Sequence, residues 1–236
     1  MKVLVIGGMH GNEPLGLEVI KLFEKKPVDD VETVYANEEA IRNNSRFIKT
    51  DLNRSFPGNL KGKDYETKRA ASLLKLCKRY DIVLDFHNTY CPNNDCAFVG
   101  NTAKNIAYQT AAFLKLKKVI VADYDCINKF AQNCISVEIS LNSKRRNPKI
   151  WYKQIINLSQ RKSLKAAVKL QTYKFVYRIT LEDRDRFNLK SENLRAFKPI
   201  TKKLARSFKI KNPAYPIFIG DGYTPYNFGG LLNKLN

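Results

Sequence analysis

Two histidines and one glutamate have the types and the spacing of a metal-binding set. His10 and His87 are the only histidines among the 236 residues, and each follows a run that is typical of a buried strand. Glu13 lies three residues after His10, so both side chains can reach one cation, and His87 completes a His₂Glu set. Alone, each histidine is more typical of a structural residue, and Glu13 of the first turn of a helix. Together they predict a catalytic zinc site with a fourth position open for water.

A polar segment after Arg46 offers groups that bind anions. It has the sequence Thr-Asp-Leu-Asn-Arg-Ser-Phe-Pro-Gly over 50–58. The planar fork of Arg46 suits carboxylates and oxyanions, and the amide of Asn53 can donate beside it. These features predict a site for an anionic substrate. The alternative is a polar loop in which Arg46 pairs with Asp51 or Asp85.

A carboxylate and two tyrosines are further candidates. Glu138 ends the apolar run Cys-Ile-Ser-Val-Glu, so a strand delivers it to the same sheet edge as the histidines. Partial burial there would raise its pKa and suit it for proton transfer, although strand-end glutamates are also common on surfaces. Tyr124 and Tyr223 place hydroxyls near predicted loops, but the chain has 12 tyrosines. Their positions alone do not assign them to a site.

The elements that must position these residues alternate between strand and helix, which predicts an α/β fold. The strand that precedes His87 has a continuous apolar centre, as in a sheet covered on both faces. Ligands bind at the carboxyl ends of the strands in such sheets. Strands are predicted over 3–6, 33–36, 81–86, 96–99, 118–122 and 134–138, and helices over 14–23, 65–78, 102–116 and 151–170.

The texture of the chain changes near residue 171. Short β-like pieces at 173–180 and 215–219 are separated by Asn, Pro, Gly and charged residues. A chain of this length can bury one substantial core with a small satellite, but not two domains of typical size. We therefore predict a catalytic domain over 1–170 and a small β-rich lobe over 171–236.

The chain is strongly basic, with 42 Lys and Arg against 22 Asp and Glu and a formal charge of +20. Such a charge attracts nucleic acid, anionic membrane surfaces or acidic small substrates. No arginine-rich arm, zinc-finger spacing or RNA-binding aromatic motif accompanies it, so nucleic acid is not favoured as the main partner. A small anionic substrate fits the charge, and a lysine-rich solvated surface is the alternative explanation.

Cysteine usage and the N-terminal residues predict a cytoplasmic protein without a membrane anchor. The five cysteines are odd in number and form no Cys-x-x-Cys pair, which indicates reduced thiols. The apolar run at 3–6 is too short for a signal peptide, and no segment approaches the roughly 20 apolar residues of a membrane helix. The sequence leaves open whether the chain forms a homo-oligomer.

Three segments resemble the aspartoacylase and succinylglutamate desuccinylase family, which is related to the zinc carboxypeptidases. They are Gly-Gly-Met-His-Gly-Asn-Glu at 7–13, Asp-Leu-Asn-Arg-Ser-Phe-Pro-Gly at 51–58 and Asp-Phe-His-Asn-Thr at 85–89, in the family's order. The resemblance extends more loosely to Glu138 and to Tyr-Pro-Ile-Phe-Ile at 215–219. It implies a mixed, largely parallel sheet flanked by helices, as in zinc carboxypeptidases, followed by a small C-terminal β-rich lobe.

The resemblance also implies roles for the candidate residues. One zinc ion per chain would be held by His10, Glu13 and His87. Glu138 would act as general base and acid, and Arg46 would polarise the scissile carbonyl. The substrate would be held at its carboxylate by Asn53 and Arg54 and contacted by Tyr124 and Tyr223.

Two departures from the family pattern bear on specificity. The family's Glu-x-Gly is Glu138-Ile139-Ser140 in this chain, which changes the turn after the catalytic carboxylate. Asn128 stands where aspartoacylases carry an arginine for the second carboxylate of the substrate. Lys129 beside it offers a point charge rather than a bidentate fork. Asn128 and Lys129 are therefore predicted to lie at the substrate side chain, with weaker selection for acetylaspartate.

Three functions compete at this stage. The first is zinc-dependent hydrolysis of the amide bond of an N-acyl amino acid, which releases a carboxylate and a free amino acid. The second is a carboxypeptidase-like zinc peptidase. The third is a non-catalytic protein that binds anions or nucleic acid on the same fold. The acyl group and the amino acid stay open.

Overall fold

The structure, a computed structural model, describes residues 1–165, 168–211, 213–220 and 227–235. No helix among these residues is long and apolar enough to cross a lipid bilayer. The strands are β1 (Val3–Gly7), β2 (Val31–Tyr35), β3 (Ile82–Thr89), β4 (Cys96–Gly100), β5 (Lys118–Ala122), β6 (Cys134–Ser140), β7 (Gln171–Thr180), β8 (Ala214–Ile217) and β9 (Asn227–Lys234). The helices are α1 (Pro14–Lys25), α2 (Glu38–Arg42), α3 (Tyr65–Cys77), α4 (Asn105–Phe113), α5 (Ile127–Phe130), α6 (Pro148–Ser159), α7 (Leu181–Arg186) and α8 (Lys202–Ser207).

The described strands form one sheet in the order β2-β1-β3-β6-β4-β5-β7-β9-β8. The first four strands in this order run parallel to one another, whereas β4 is antiparallel to β6. The next three, β4, β5 and β7, are mutually parallel, and β9 and β8 complete the sheet with antiparallel pairings. The predicted mixed, largely parallel sheet with flanking helices is therefore confirmed.

Helices cover both faces of the central strands. β1 and β3 are buried along their whole length, as expected for apolar strands covered on both sides. On one face, the apolar stripe of α1 packs with Trp151 of α6 in the main core cluster. On the other face, Leu73 of α3 joins Leu52 and Phe56 in a second cluster. The second cluster holds the segment 51–58 against the sheet.

Two glycines allow α1 to lie directly against β1. A Cβ atom on Gly7 would be 2.6 Å from the carbonyl carbon of Gly16, and one on Gly16 would be 2.7 Å from the Cα atom of Gly7. Both distances are far below the 3.5 to 4 Å at which carbon atoms attract each other. A side chain at either position would therefore push α1 away from the sheet.

The C-terminal strands continue the central sheet. β7 pairs in parallel with β5, with Gln171 opposite Lys118. Beyond this pairing, Ile179, Phe208 and Leu231 belong to an apolar cluster of their own, which side chains of α7 and α8 also join. The division into a domain over 1–170 and a lobe over 171–236 stays a prediction, and the backbone hydrogen bonds between β5 and β7 cross it.

The helix predicted over 151–170 is wrong in its second half. α6 begins at Pro148 and ends at Ser159, directly after Leu158, which is part of its buried face. The described residues that follow, 160–165 and 168–170, are not helical. Leu164 nevertheless packs in the main core cluster. Apolar residues beyond position 159 therefore contribute to the core from an irregular segment, which helical spacing alone cannot distinguish from a longer helix.

Candidate metal centre and active site

The turn between β1 and α1 carries His10 and Glu13 to the end of the sheet. Gly8 within it has a φ of 71°, in the left-handed region that glycine adopts without steric cost. A backbone hydrogen bond from Asn37 N to Gly8 O (3.0 Å) ties the turn to the chain that follows β2. The backbone conformation of this turn therefore accounts for a glycine before His10.

The start of α1 is held from the neighbouring strand. Asn88 on β3 accepts a hydrogen bond from Leu15 N through its side-chain Oδ1 (3.0 Å), which satisfies an amide in the first turn of α1. Its own backbone N–H donates to Glu13 Oε2 (3.2 Å). Glu13 makes no side-chain capping bond to the helix. Its carboxylate is directed instead at the two histidines.

His10, Glu13 and His87 form one buried cluster. Glu13 Oε1 lies 2.7 Å from His10 Nδ1, and Glu13 Oε2 lies 2.9 Å from His87 Nδ1. One ligand atom from each residue can be chosen so that all three lie within 4.8 Å of one another. Each residue is at most 4% exposed. The structure therefore brings together the three residues that the sequence predicts as ligands, although they come from two segments more than 70 positions apart.

Each histidine of the cluster has a second carboxylate on its other ring nitrogen. His10 Nε2 lies 3.2 Å from Asp51 Oδ1, and His87 Nε2 lies 2.8 Å from Asp85 Oδ2. A proton on Nε2 can be donated to that carboxylate, which leaves the Nδ1 lone pair directed at the centre of the cluster. Metal-binding histidines in proteins almost always have such a partner. The donor set and its outer carboxylates therefore fit a zinc ion.

The charged side chains of the cluster stabilise one another in their ionised forms. Burial alone would raise the pKa of Glu13, but His10 and His87 outweigh it and hold that pKa below its usual range. Burial opposes protonation of His87, but Asp85 and Glu13 raise the pKa of its imidazole well above the usual value. Asp51 is likewise kept ionised, since His10 and nearby arginines lower its pKa despite burial. The cluster therefore keeps its carboxylates negative, as a cation site requires.

Arg46 contacts the same cluster from the segment before 51–58. Its Nη2 lies 3.2 Å from Asp51 Oδ2, and its Nη1 lies 3.5 Å from Glu13 Oε1. The pairing with Asp51 that was the alternative explanation is therefore present. Arg46 also lines the cavity above the cluster, and its role toward an anionic substrate stays a prediction.

Glu138 lies beside the cluster on the adjacent strand. His87 and Glu138 are direct partners in the parallel pairing of β3 with β6. His87 lies within β3 rather than after it, because the strand continues to Thr89. Side chains alternate along β6, so that Val137 packs in the core whereas Ser136 and Glu138 line the cavity. A half-buried carboxylate therefore faces the same space as the metal cluster.

The cavity has a polar wall and an aromatic wall. On the polar side, Arg54 donates to Asn53 O (2.9 Å), and its guanidinium lies 4.7 Å from the centre of the Tyr124 ring. Asn53 Oδ1 accepts a hydrogen bond from Ile127 N (3.3 Å). The aromatic side chains that line the cavity are Phe98, Tyr124, Phe175 and Phe218.

A known catalytic domain matches the part of the chain that carries this cluster. Residues 1–138 match the sequence model of the succinylglutamate desuccinylase/aspartoacylase catalytic domain. This match covers more than half of the chain and ends on Glu138. The chain belongs to the succinylglutamate desuccinylase and aspartoacylase family.

Named relatives agree with the family. A probable aspartoacylase of Trichodesmium erythraeum is 29% identical over 152 residues, which cover 56% of this chain and 50% of that protein. An N-acyl-aromatic-L-amino acid amidohydrolase of Rattus norvegicus is 32% identical over 114 residues, which cover 41% of this chain and 36% of the relative. The chain thus spans half or less of the length of these two relatives.

Solved structures of the family share the fold over the whole chain. The succinylglutamate desuccinylase of Chromobacterium violaceum has a TM-score of 0.72 at 18% identity, covering 100% of this chain and 85% of that one. Murine aminoacylase 3 has a TM-score of 0.69 at 21% identity, with coverage of 100% and 95%. At these identities, the likeness establishes the architecture.

Asn128 and Lys129, which the sequence predicts to lie at the substrate side chain, face different ways. Asn128 is buried and lines the cavity, but its Nδ2 donates to Phe98 O (3.2 Å) and Cys134 O (3.3 Å). Lys129 Nζ lies 2.9 Å from Asp125 Oδ1, and Lys129 is not among the described cavity-lining residues. Tyr223 lies outside the described residues.

A buried chain of polar side chains that the sequence did not indicate connects Asn128 to the cluster of His10, Glu13 and His87. Ser136 Oγ lies 2.8 Å from Asn128 Oδ1 and 2.9 Å from Asp85 Oδ2, and Asp85 contacts His87. The sequence suggested Asp85 only as a partner of Arg46. Its position two residues before His87, on the same face of one strand, is the signal that could have identified its role.

We expect Asp85→Asn to weaken zinc binding roughly 10- to 100-fold, the usual effect of removing a carboxylate that orients a metal-binding histidine. The amide keeps the shape of the side chain but removes the negative charge beside His87 Nε2. The matched control is Asp81→Asn, because Asp81 is an exposed aspartate just before the same strand, and its carboxylate accepts a hydrogen bond from Lys2 N. Competition titration with a chromophoric chelator measures both variants. Equal affinities would contradict the orienting role of Asp85.

Proposed function

We propose that this protein is a zinc-dependent amidohydrolase that cleaves the amide bond of an N-acyl amino acid and releases a carboxylate and a free amino acid. The observation that carries the proposal is the placement of Glu138 directly beside His87, in a cavity shared with Arg46 and Arg54. Family membership supports it. The relatives named above include an N-acyl amino acid amidohydrolase.

His10, Glu13 and His87 would hold the zinc ion. Three protein ligands leave a fourth position open, which is the arrangement of catalytic rather than structural zinc. When bound, zinc would act as a Lewis acid and would lower the pKa of a water molecule to about 7. Asp51 and Asp85 keep the two imidazoles in the orientation and tautomer that this requires.

The residues around the cluster would provide proton transfer and oxyanion stabilisation. Glu138 accepts a proton from the attacking water and delivers it to the leaving nitrogen, so that hydroxyl adds to the carbonyl carbon as the amide bond breaks. Arg46, held by Asp51 and next to Glu13, donates to the oxyanion that develops on the carbonyl oxygen. Its position is fixed before the substrate arrives, which is the condition for effective oxyanion stabilisation.

Asn53 and Arg54 would receive the α-carboxylate of the substrate. Arg54 is held by its contact with Asn53 O and by the ring of Tyr124, so its fork is preorganised. Arginine binds carboxylates in a bidentate manner, which fixes their orientation as well as their position. The acyl group and the scissile amide would then lie between these two residues and Glu138.

The test is a substrate panel with zinc-loaded and chelator-treated protein. We expect acetyl and succinyl amino acids to be hydrolysed only by the zinc-loaded form, with turnover restored when zinc is added back. Peptides with free C-termini serve as the competing substrates, and their preferred cleavage would favour a carboxypeptidase-like activity. A protein that binds no metal, turns over neither class and binds nucleic acid with strong salt dependence would instead be the non-catalytic alternative.

A further inference from the structure

Two of the three arginines that line the described part of the cavity are already engaged. Arg46 contacts Asp51 and Glu13. Arg54 is packed against Tyr124 and bonded to Asn53 O. Each is held near the metal cluster, where the reacting amide and one carboxylate of the substrate are expected.

Arg178 on β7 differs from both. It lines the same cavity, and its side chain is exposed. No carboxylate of the described residues lies within 4 Å of its guanidinium, in contrast to Arg46. Its charge also acts on the cavity wall: burial raises the pKa of the Tyr124 hydroxyl, and the charges of Arg54 and Arg178 oppose that rise. The guanidinium of Arg178 therefore lies at the cavity and has no acidic partner among the described residues.

A β-bulge directs Arg178 into the cavity. In a regular strand, residues three apart point to opposite faces of the sheet. In β7, Phe175 pairs with Leu232 and Tyr177 pairs with Leu231, so one extra residue is inserted between them. Such a bulge shifts the alternation by one position and re-aims the side chains that follow. Phe175 and Arg178 consequently line the same cavity.

The partner strand β9 carries glycines at this wall of the cavity. Arg178 lies opposite Gly230 of β9. A Cβ atom at Gly230 would be 2.5 Å from the ring of Phe175, and one at Gly229 would be 2.5 Å from Ile219 Cδ1. Both glycines also line the cavity. The glycines of β9 therefore let the side chains of Phe175 and Ile219 pack directly against the main chain at this wall of the cavity.

Asn128 and Lys129 of α5 are not available to bind a carboxylate in the same way. The Asn128 amide donates to two backbone carbonyls, and its oxygen lies against Ser136. Using it for a ligand would leave buried carbonyl groups without their donor, which is costly. Lys129 is paired with Asp125 and does not line the described cavity.

We propose that Arg178 is the specificity-determining residue that binds a second carboxylate of the substrate, carried on either the amino-acid side chain or the acyl group. This inference rests on the proposed function and deepens it, because it assigns dicarboxylic N-acyl amino acids to this site. The cation for the second carboxylate then comes from β7 rather than from α5. Guanidinium groups bind carboxylates through two parallel hydrogen bonds, which gives both affinity and orientation.

The test compares charged substrates with neutral substrates of similar shape. N-acetylaspartate against N-acetylasparagine examines a side-chain carboxylate, and N-succinylleucine against N-acetylleucine examines one on the acyl group. We expect Arg178→Gln to lower the charged-to-neutral ratio of kcat/KM roughly 10- to 100-fold for one pair, the usual loss for a hydrogen bond to a charged group. Arg178→Lys should recover part of it. Lys174→Gln, an exposed cation on the same strand outside the described cavity lining, is the matched control.

The outcomes separate this inference from the proposed function. Unchanged ratios in Arg178→Gln, or an equal fall in Lys174→Gln, would overturn the role of Arg178 even if the amides are hydrolysed. If the zinc-loaded wild type hydrolyses none of the four compounds, the proposed function fails, and calorimetric binding of the same compounds still decides the inference. Charged compounds that bind at least tenfold more weakly to Arg178→Gln, with neutral ones unaffected, would support it. Equal binding would reject it.

Discussion

We expect His10→Ala and His87→Ala each to abolish stoichiometric zinc binding, whereas the wild type carries about one zinc ion per chain. Each substitution removes one of three donors that face a common centre. The remaining pair cannot form a His₂Glu site, so the affinity should fall by more than the roughly 100-fold upper range for an orienting carboxylate. Metal analysis after dialysis, followed by chelator competition, measures the loss.

Cys126→Ala is the matched control for the histidine variants. Cys126 lines the same cavity and has a side chain that can bind zinc, but it is not part of the cluster. Its pKa is raised by burial, which disfavours the thiolate that zinc prefers. We expect this variant to keep its zinc. Full metal retention in both histidine variants would remove these residues as ligands.

The second large effect is expected from Glu138→Gln, with turnover of an N-acyl amino acid falling by about two to four orders of magnitude. The amide has nearly the same shape as the carboxylate but cannot accept the proton of the attacking water. Zinc content and melting temperature should stay close to the wild type, because Glu138 is not a member of the metal cluster. Single-turnover kinetics with zinc-loaded protein measure the chemical step.

Glu18→Gln is the control for this substitution. Glu18 lies on α1, which begins next to the proposed ligand Glu13, but it does not line the described cavity. It should keep wild-type turnover. If Glu138→Gln also retains turnover within a few-fold of the wild type, another group transfers the proton and Glu138 has no part in the mechanism.

The proximity of His10, Glu13 and His87 could be predicted because its determinants are local. His10 and Glu13 share one turn, and His87 belongs to an apolar strand that must lie in the middle of the sheet. Asp51, the outer carboxylate of His10, could not be predicted in the same way. Asp51 meets His10 only because the segment 51–58 packs on the second face of the sheet, which depends on tertiary contacts of Leu52. Such contacts leave no periodic signal in the sequence.

On the substrate side of the cavity, the sequence identifies residues of interest but does not predict their contacts. The sequence identifies Asn128 as a departure from the family, but only the structure shows that its amide is occupied by backbone carbonyls. Arg178 is hidden from sequence reasoning for a specific reason. The bulge in β7 breaks the two-residue alternation from which the facing of a strand residue is inferred. The position of Tyr223 lies outside the described residues and stays a prediction.

The contact between Gly7 and Gly16 has a consequence for the position of Glu13 relative to His87. Glu13 precedes α1 and moves with that helix, whereas His87 belongs to the sheet. The spacing between helix and sheet is set by two main chains in contact, with no side chain between them that could repack. The separation of the backbones that carry Glu13 and His87 is thus set by main-chain contact. Gly7 and Gly16, which are not members of the cluster, therefore fix the separation of the two segments that carry Glu13 and His87.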